Sequence, residues 1–173
     1  MKGSIAIALK EMIEKNFGED KWNDTLIESG LTEEPHFTAV SDVDDKLVMK
    51  MINGACTALK ITLLQAADAF GDYWVNEYSQ KLYKPYYRQC NNAQEFLLSM
   101  NSVHSTVTRR IENAKPPVFE YEKKDDKTLI MKYRSERGMI DFMIGLIKGV
   151  GKYYNEKLTI LKMSETEVKI TFS

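Results

Sequence analysis

A chain of 173 residues has room for one well-filled domain and not for two comfortable ones, and 24 Lys and Arg against 25 Asp and Glu leave a formal charge of −1. So even a balance offers no electrostatic footprint for nucleic acid or for an anionic membrane surface. Hydrophobic content of 43% fits an ordered globular protein, and no stretch approaches the ~20 apolar residues of a membrane span, so the expectation is a cytoplasmic protein without membrane insertion.

Ile5, Leu9, Met12 and Ile13, at steps of three and four, predict a first helix that stops near Phe17-Gly18. The apolar run from Ile5 to Leu9 is too short for a secretory leader, because Lys10 and Glu11 follow at once. A second helix is predicted from Lys21 to Glu28, ending at Ser29-Gly30. Pro35-His36 reads as a loop, and its histidine is given no role. Ser41-Asp42-Val43-Asp44-Asp45 reads as a capping run ahead of a helix through Leu47, Met51 and Ala55. The next helix, from Lys60 to Gln80, places Ala67, Phe70, Trp74 and Tyr78 on one aromatic ridge. Pro85, within Tyr83-Lys84-Pro85-Tyr86-Tyr87, is expected to break helix geometry. A long helix carrying His104 then runs to about Asn113, ended by Pro116-Pro117.

Beyond Val118 the pattern turns to alternation. Val118 to Lys123 and Thr128 to Tyr133 flank the turn Lys124-Asp125-Asp126, predicting an antiparallel hairpin. A helix from Gly138 to Asn155 follows, then a second hairpin, Lys157 to Met163 with Glu167 to Phe172. The fold class is therefore α+β, a mainly helical N-terminal part and a C-terminal four-stranded antiparallel sheet with helices. Gly145, Gly149 and Gly151 in the last helix need an explanation, since glycine is costly there. Either a flat ligand lies against Gly145 or another helix packs close. Cys56 and Cys90 are too far apart to form a Cys-x-x-Cys metal site and read as free thiols.

Two constellations carry chemistry. Phe96, Met100, Val103, Val107 and Ile111 form an apolar stripe, and His104 lies on its flank, so the imidazole projects toward a core. A buried neutral imidazole is a ligand for borderline metals and for haem iron, although core histidines bonded to backbone are commoner. In an extended segment Tyr133, Ser135 and Arg137 share a face with about 6.5 Å between successive side chains. Two hydroxyls and a guanidinium fork suit a ligand with two carboxylates, and the alternative is a solvated strand face.

Taken together, Met1-Lys2-Gly3-Ser4-Ile5, the helix with Val103-His104, Pro116-Pro117 and Tyr133-x-Ser135-x-Arg137 resemble the H-NOX domain, the haem nitric oxide/oxygen binding family, over nearly the whole chain. The resemblance implies one domain, residues 1–173, with a helical distal subdomain (1–60) and a proximal α+β subdomain (61–173). It implies a non-covalent haem b buried between helices and sheet. His104 would be its axial ligand, Tyr133, Ser135 and Arg137 would hold the propionates, and Pro117 would press on the porphyrin. Met100 would flank the cofactor beside His104. Ile5, Leu9, Trp74, Tyr78, Phe142 and Leu146 would surround the open coordination position.

Family members that hold oxygen tightly carry a tyrosine nine residues beyond the motif tyrosine, where this chain has Phe142. The resemblance then implies a nitric oxide sensor, binding carbon monoxide as well and discriminating against oxygen. Trp74 and Tyr78 remain possible donors to a bound gas. Release of His104 on nitric oxide binding would let its helix shift. The partner implied is a separate histidine kinase or cyclic-di-GMP enzyme, as for bacterial stand-alone members. Catalysis is not expected, the rival readings being an oxygen binder, a haem peroxidase or a nitric oxide detoxifying protein, and a haem-free interaction module.

Overall fold

The apolar steps of three and four in the first sixty residues fold as three helices, α1 (Gly3–Phe17), α2 (Glu19–Glu28) and α3 (Asp45–Leu59). Gly18, at φ 94°, joins α1 to α2 in a conformation that a side chain would resist. Asp44 starts α3 as the capping run predicts: its carboxylate accepts the Lys46 N–H at 3.0 Å. Ile13, Trp22, Val48 and Met51 fill the interior of this unit.

The computed structural model describes residues 1–109, 111 and 114–173, which divide into two compact units. One is Met1–Ala66 with Ile111–Lys115, and the other is Ala67–Arg110 with Pro116–Ser173. Among the described residues no single helix is long and apolar enough to cross a membrane.

The expected helix from 60 to 80 is not one regular helix. α4 (Leu63–Tyr73) gives way to a π-helical turn over Trp74–Tyr78 and resumes as the short α5 (Ser79–Leu82). The Ser79 N–H reaches back to the Trp74 carbonyl, five residues away, and side-chain amides satisfy carbonyls nearby. Gln80 Nε2 donates to the Val75 carbonyl at 2.7 Å, and Asn76 Nδ2 to the Asp72 carbonyl at 3.2 Å and the Gly149 carbonyl at 3.3 Å. Helix geometry does break ahead of Pro85, at Tyr83 (φ −124°), and Pro85 itself lies in the first turn of α6 (Lys84–Arg88), where its missing N–H costs nothing. α7 (Ala93–Thr108) ends before Pro116-Pro117, and the expected end at Asn113 falls outside the described residues. The β-branched run Thr106-Val107-Thr108 weakens its last turn, where Thr108 Oγ1 donates to the His104 carbonyl at 2.7 Å.

Both hairpins form. β1 (Val118–Lys123), β2 (Thr128–Arg134), β3 (Leu158–Ser164) and β4 (Glu167–Phe172) make one antiparallel sheet in the order β1-β2-β4-β3. Phe119 faces Tyr133, and Met131 faces Val168. The period of two sends Leu129, Met131, Tyr133, Val168, Ile170 and Phe172 inward. There they share a core with Ile140, Ile147 and Val150 of α8 (Ile140–Tyr153).

The helical glycines are settled in favour of packing. A Cβ on Gly145 would stand 2.1 Å from the Ala67 carbonyl oxygen, and one on Gly71 2.1 Å from the Gly145 carbonyl carbon. α4 and α8 therefore meet backbone to backbone, with Asp68–Lys148 at 2.6 Å and Asp72–Lys152 at 2.7 Å as exposed ion pairs alongside. Gly145→Ala is expected to lower stability by at least the roughly 1–3 kcal/mol of an overpacked core. Asp68→Asn should cost under about 1 kcal/mol, as exposed pairs do. Urea midpoints of the two variants check the contrast.

Candidate functional site

His104 is carried in the last turn and a half of α7, and the start of that helix is firmly built. Asn92 Oδ1 accepts the Glu95 N–H at 2.8 Å, and the Glu156 carboxylate accepts the Ala93 N–H at 3.1 Å. Further along, the Tyr121 hydroxyl donates to the Leu97 carbonyl at 2.7 Å. Burial pushes that phenol up, which keeps it a neutral donor. Asn101 then meets the Phe119 peptide twice, donating from Nδ2 to its carbonyl at 2.7 Å and accepting its N–H at Oδ1 at 2.9 Å. Helix and β1 are thereby tied along their length.

One turn past Asn101 the imidazole lies 5.6 Å from the Phe119 ring, tilted by 39°. Its Nδ1 is buried while the ring as a whole is half-buried, so the inward projection read from the stripe holds. Phe119 also packs on Tyr133, ring centres 6.1 Å apart. His104 and Tyr133 thus pack against one phenylalanine. Met100, half-buried, packs against the same core, and half-buried Pro117 immediately precedes β1.

The extended ladder of Tyr133, Ser135 and Arg137 is corrected. β2 ends at Arg134, and the chain turns through Glu136-Arg137, with the Arg137 N–H donating to Ser135 Oγ at 3.3 Å and Gly138 following at φ 62°. The alternation survives the turn: Tyr133 is 5% exposed, Ser135 and Arg137 are half-buried, and Arg134 and Glu136 face water. Arg134 is occupied by Glu120 at 3.0 Å, and this hydrogen bond holds the Glu120 carboxyl below its usual range. Arg137 is therefore the less exposed arginine of the pair.

A second group gathers around Phe70. Phe142, 7% exposed, meets it edge-on at 5.8 Å, and Trp74 stacks on it at 5.8 Å. Tyr78 stacks on Trp74 at 5.3 Å. Leu146, one turn beyond Phe142 on α8, is half-buried. Ile5 and Leu9 stand on α1 in the other unit, Ile5 half-buried and Leu9 buried. Asn101 and Phe119 escaped the sequence reading. A polar residue one turn from the histidine was the only signal for Asn101.

These residues fit a haem. The requirements are one axial donor, apolar surface left partly uncovered, and cationic or hydroxyl groups for two carboxylates. His104 supplies the first, half-buried Met100, Trp74 and Leu146 the second, and Ser135 and Arg137 the third. A bare metal ion would want several protein donors, and among the described residues no three His, Cys, Asp or Glu side chains gather.

Comparison with known proteins bears on the family. The chain aligns at 24% identity with soluble guanylate cyclase gcy-32 of Caenorhabditis elegans, over 96% of its own length and 25% of the relative's. Soluble guanylate cyclase gcy-37 of the same organism aligns at 24% identity over 86% of the chain and 22% of the relative. The chain thus spans about a quarter of the curated relatives it matches. In structure it is similar to the Fe(II) unliganded H-NOX protein from K. algicida (TM-score 0.86, 22% identity, 100% of this chain and 97% of that one). It is equally similar to an oxygen binding H-NOX domain related to soluble guanylate cyclases (TM-score 0.85, 22% identity, 100% and 95%). At these identities the solved structures speak for the fold. The family model described as haem-NO-binding matches residues 2–162, and the chain accordingly belongs to that family, the H-NOX domain.

Proposed function

We propose that the chain holds haem b non-covalently through His104 and senses nitric oxide while discriminating against oxygen. When bound, ferrous haem supplies an iron with one coordination position for a diatomic gas. His104 would hold the iron, Tyr133, Ser135 and Arg137 would hold the propionates, and Pro117 and Met100 would pack against the macrocycle. Trp74, Tyr78, Phe142 and Leu146 would face the gas.

The observation that carries the gas preference is the Phe142 ring, buried edge-on against Phe70 and offering carbon alone. A bound dioxygen gathers negative charge and gains from a donor in a dry pocket, whereas nitric oxide depends little on one. The same gas-facing set offers no histidine, arginine or carboxylate for peroxide chemistry, which argues for a sensor over a peroxidase. Its output would be displacement of α7 once His104 is released, read by a separate signalling enzyme of histidine kinase or cyclic-di-GMP type. That curated relatives are named cyclases, with the matched region about a quarter of their length, supports a signalling role.

A second reading, oxygen binding, is favoured by the indole N–H of Trp74 and the hydroxyl of Tyr78, two donors stacked beside Phe70. Absorption spectra of the reduced protein separate the two. The expected result is no change under air and a shifted Soret band under nitric oxide or carbon monoxide. An oxygen spectrum under air would give the second reading precedence. Arg137→Ala is expected to speed haem loss to apomyoglobin by roughly 10- to 150-fold, the equivalent of about 1.5–3 kcal/mol for a charge-assisted contact. Unchanged transfer kinetics would remove Arg137 from the propionate set.

A further inference from the structure

α7 is tied to its surroundings from its first residue to Asn101, and His104 follows one turn later. The last of those ties differs in kind from the others. Phe119 faces Tyr133 across the hairpin, and the Tyr133 N–H turns away from it, to the Thr166 carbonyl at 2.7 Å. This is the pairing in which the two residues exchange no bonds with each other, so the peptide groups of Phe119 point to the open edge of the sheet. Asn101 meets both of them there, its amide standing in for the peptide of a further strand. One hydrogen bond would leave a swivel. Two, from one planar group, fix distance and rotation together.

The residue so fixed is the one whose ring lies against both His104 and Tyr133. Asn101 and His104, three apart, share a face of the helix. We propose that Asn101 is a positioning residue for His104: through the backbone of Phe119 it sets where the imidazole stands and couples its departure to the β1–β2 hairpin. If the helix shifts as His104 leaves, it either carries Phe119 with it or breaks both hydrogen bonds of the Asn101 amide. Holding the imidazole in place favours the bound form, because a ligand already at its position has less freedom to lose. The inference rests on His104 being the iron ligand, as proposed above.

The test uses the full chain loaded with haem and reduced. Resonance Raman spectroscopy reads the iron–histidine stretch, and absorption after nitric oxide addition reads the fraction in which His104 has left the iron. Asn101→Ala is expected to shift and broaden the stretch and to move the on/off ratio about fivefold or more toward release, the lower end of ordinary site-to-site coupling. Asn101→Asp keeps the acceptor for the Phe119 N–H and loses the donor, so a smaller shift of the same sign is expected; it also carries the test should the alanine variant not fold. Tyr121→Phe loosens the same helix at Leu97 and is expected to lower thermal stability with the stretch unmoved.

A wild-type stretch and ratio in the Asn101 variants would overturn the proposal. So would a Tyr121→Phe shift as large as theirs, since the effect would then be general loosening. A wild-type protein lacking the stretch would sink the ligand assignment itself, and this inference with it.

Discussion

Haem retention by His104→Gly is expected to collapse, and added imidazole is expected to restore it. Loss of a group that merely orients a metal ligand commonly costs about 10–100-fold in affinity, so loss of the ligand should exceed that. The substitution is tolerable to the fold. His104 is four residues from the end of α7, and glycine in a helix costs about 1 kcal/mol, less at a frayed end. The vacated volume beside Phe119 has the shape of the missing ring and can admit free imidazole. Gel filtration of the reduced variant with and without imidazole gives the reading: a Soret band that survives in the absence of imidazole would show that another residue holds the iron.

The second large effect is expected from Phe142→Tyr, which should confer oxygen binding on the reduced protein. Phe142 sits at 7% exposure with its ring edge-on to Phe70, so a para hydroxyl enters an apolar enclosure where few protein groups compete for it. A hydrogen bond to a charged acceptor is worth about 1.5–3 kcal/mol, which is roughly 10- to 150-fold in oxygen affinity. Nitric oxide affinity should change far less. Without gas the new hydroxyl lacks that partner and costs about 1–3 kcal/mol of stability, so a lower thermal midpoint should accompany the gain. Oxygen titration of the reduced variant decides the matter, and an affinity equal to wild type would remove position 142 from the gas-facing set.

The elements that sequence reveals here are those whose cause is local. Asp44 announces α3 because a carboxylate before an apolar repeat has an N–H to accept. Leu129, Met131 and Tyr133 announce β2 because alternation and burial coincide. The π turn stayed hidden because Phe70, Trp74 and Tyr78 keep one face whether or not an extra residue is wound in. The turn at Ser135 to Arg137 stayed hidden for a related reason: exposure alternates through it as through a strand, and Gly138 alone hints at the bend. His104, Tyr133 and Arg137 were legible as residue types in a pattern. Asn101 was not, because its partner is a backbone peptide eighteen positions away, and backbone has no letter in a sequence.

The glycine seam between α4 and α8 bears on what the gas would meet. With peptide against peptide at Gly71 and Gly145, the two helices act as a single beam, and there is no compressible layer between them to take up a change in size. Phe70 rides on α4, and Phe142 and Leu146 ride on α8. Their spacing is therefore dictated by the frame and not negotiated by each visitor, so the room that the proposed gas site would offer is a matter of which side chains project from it.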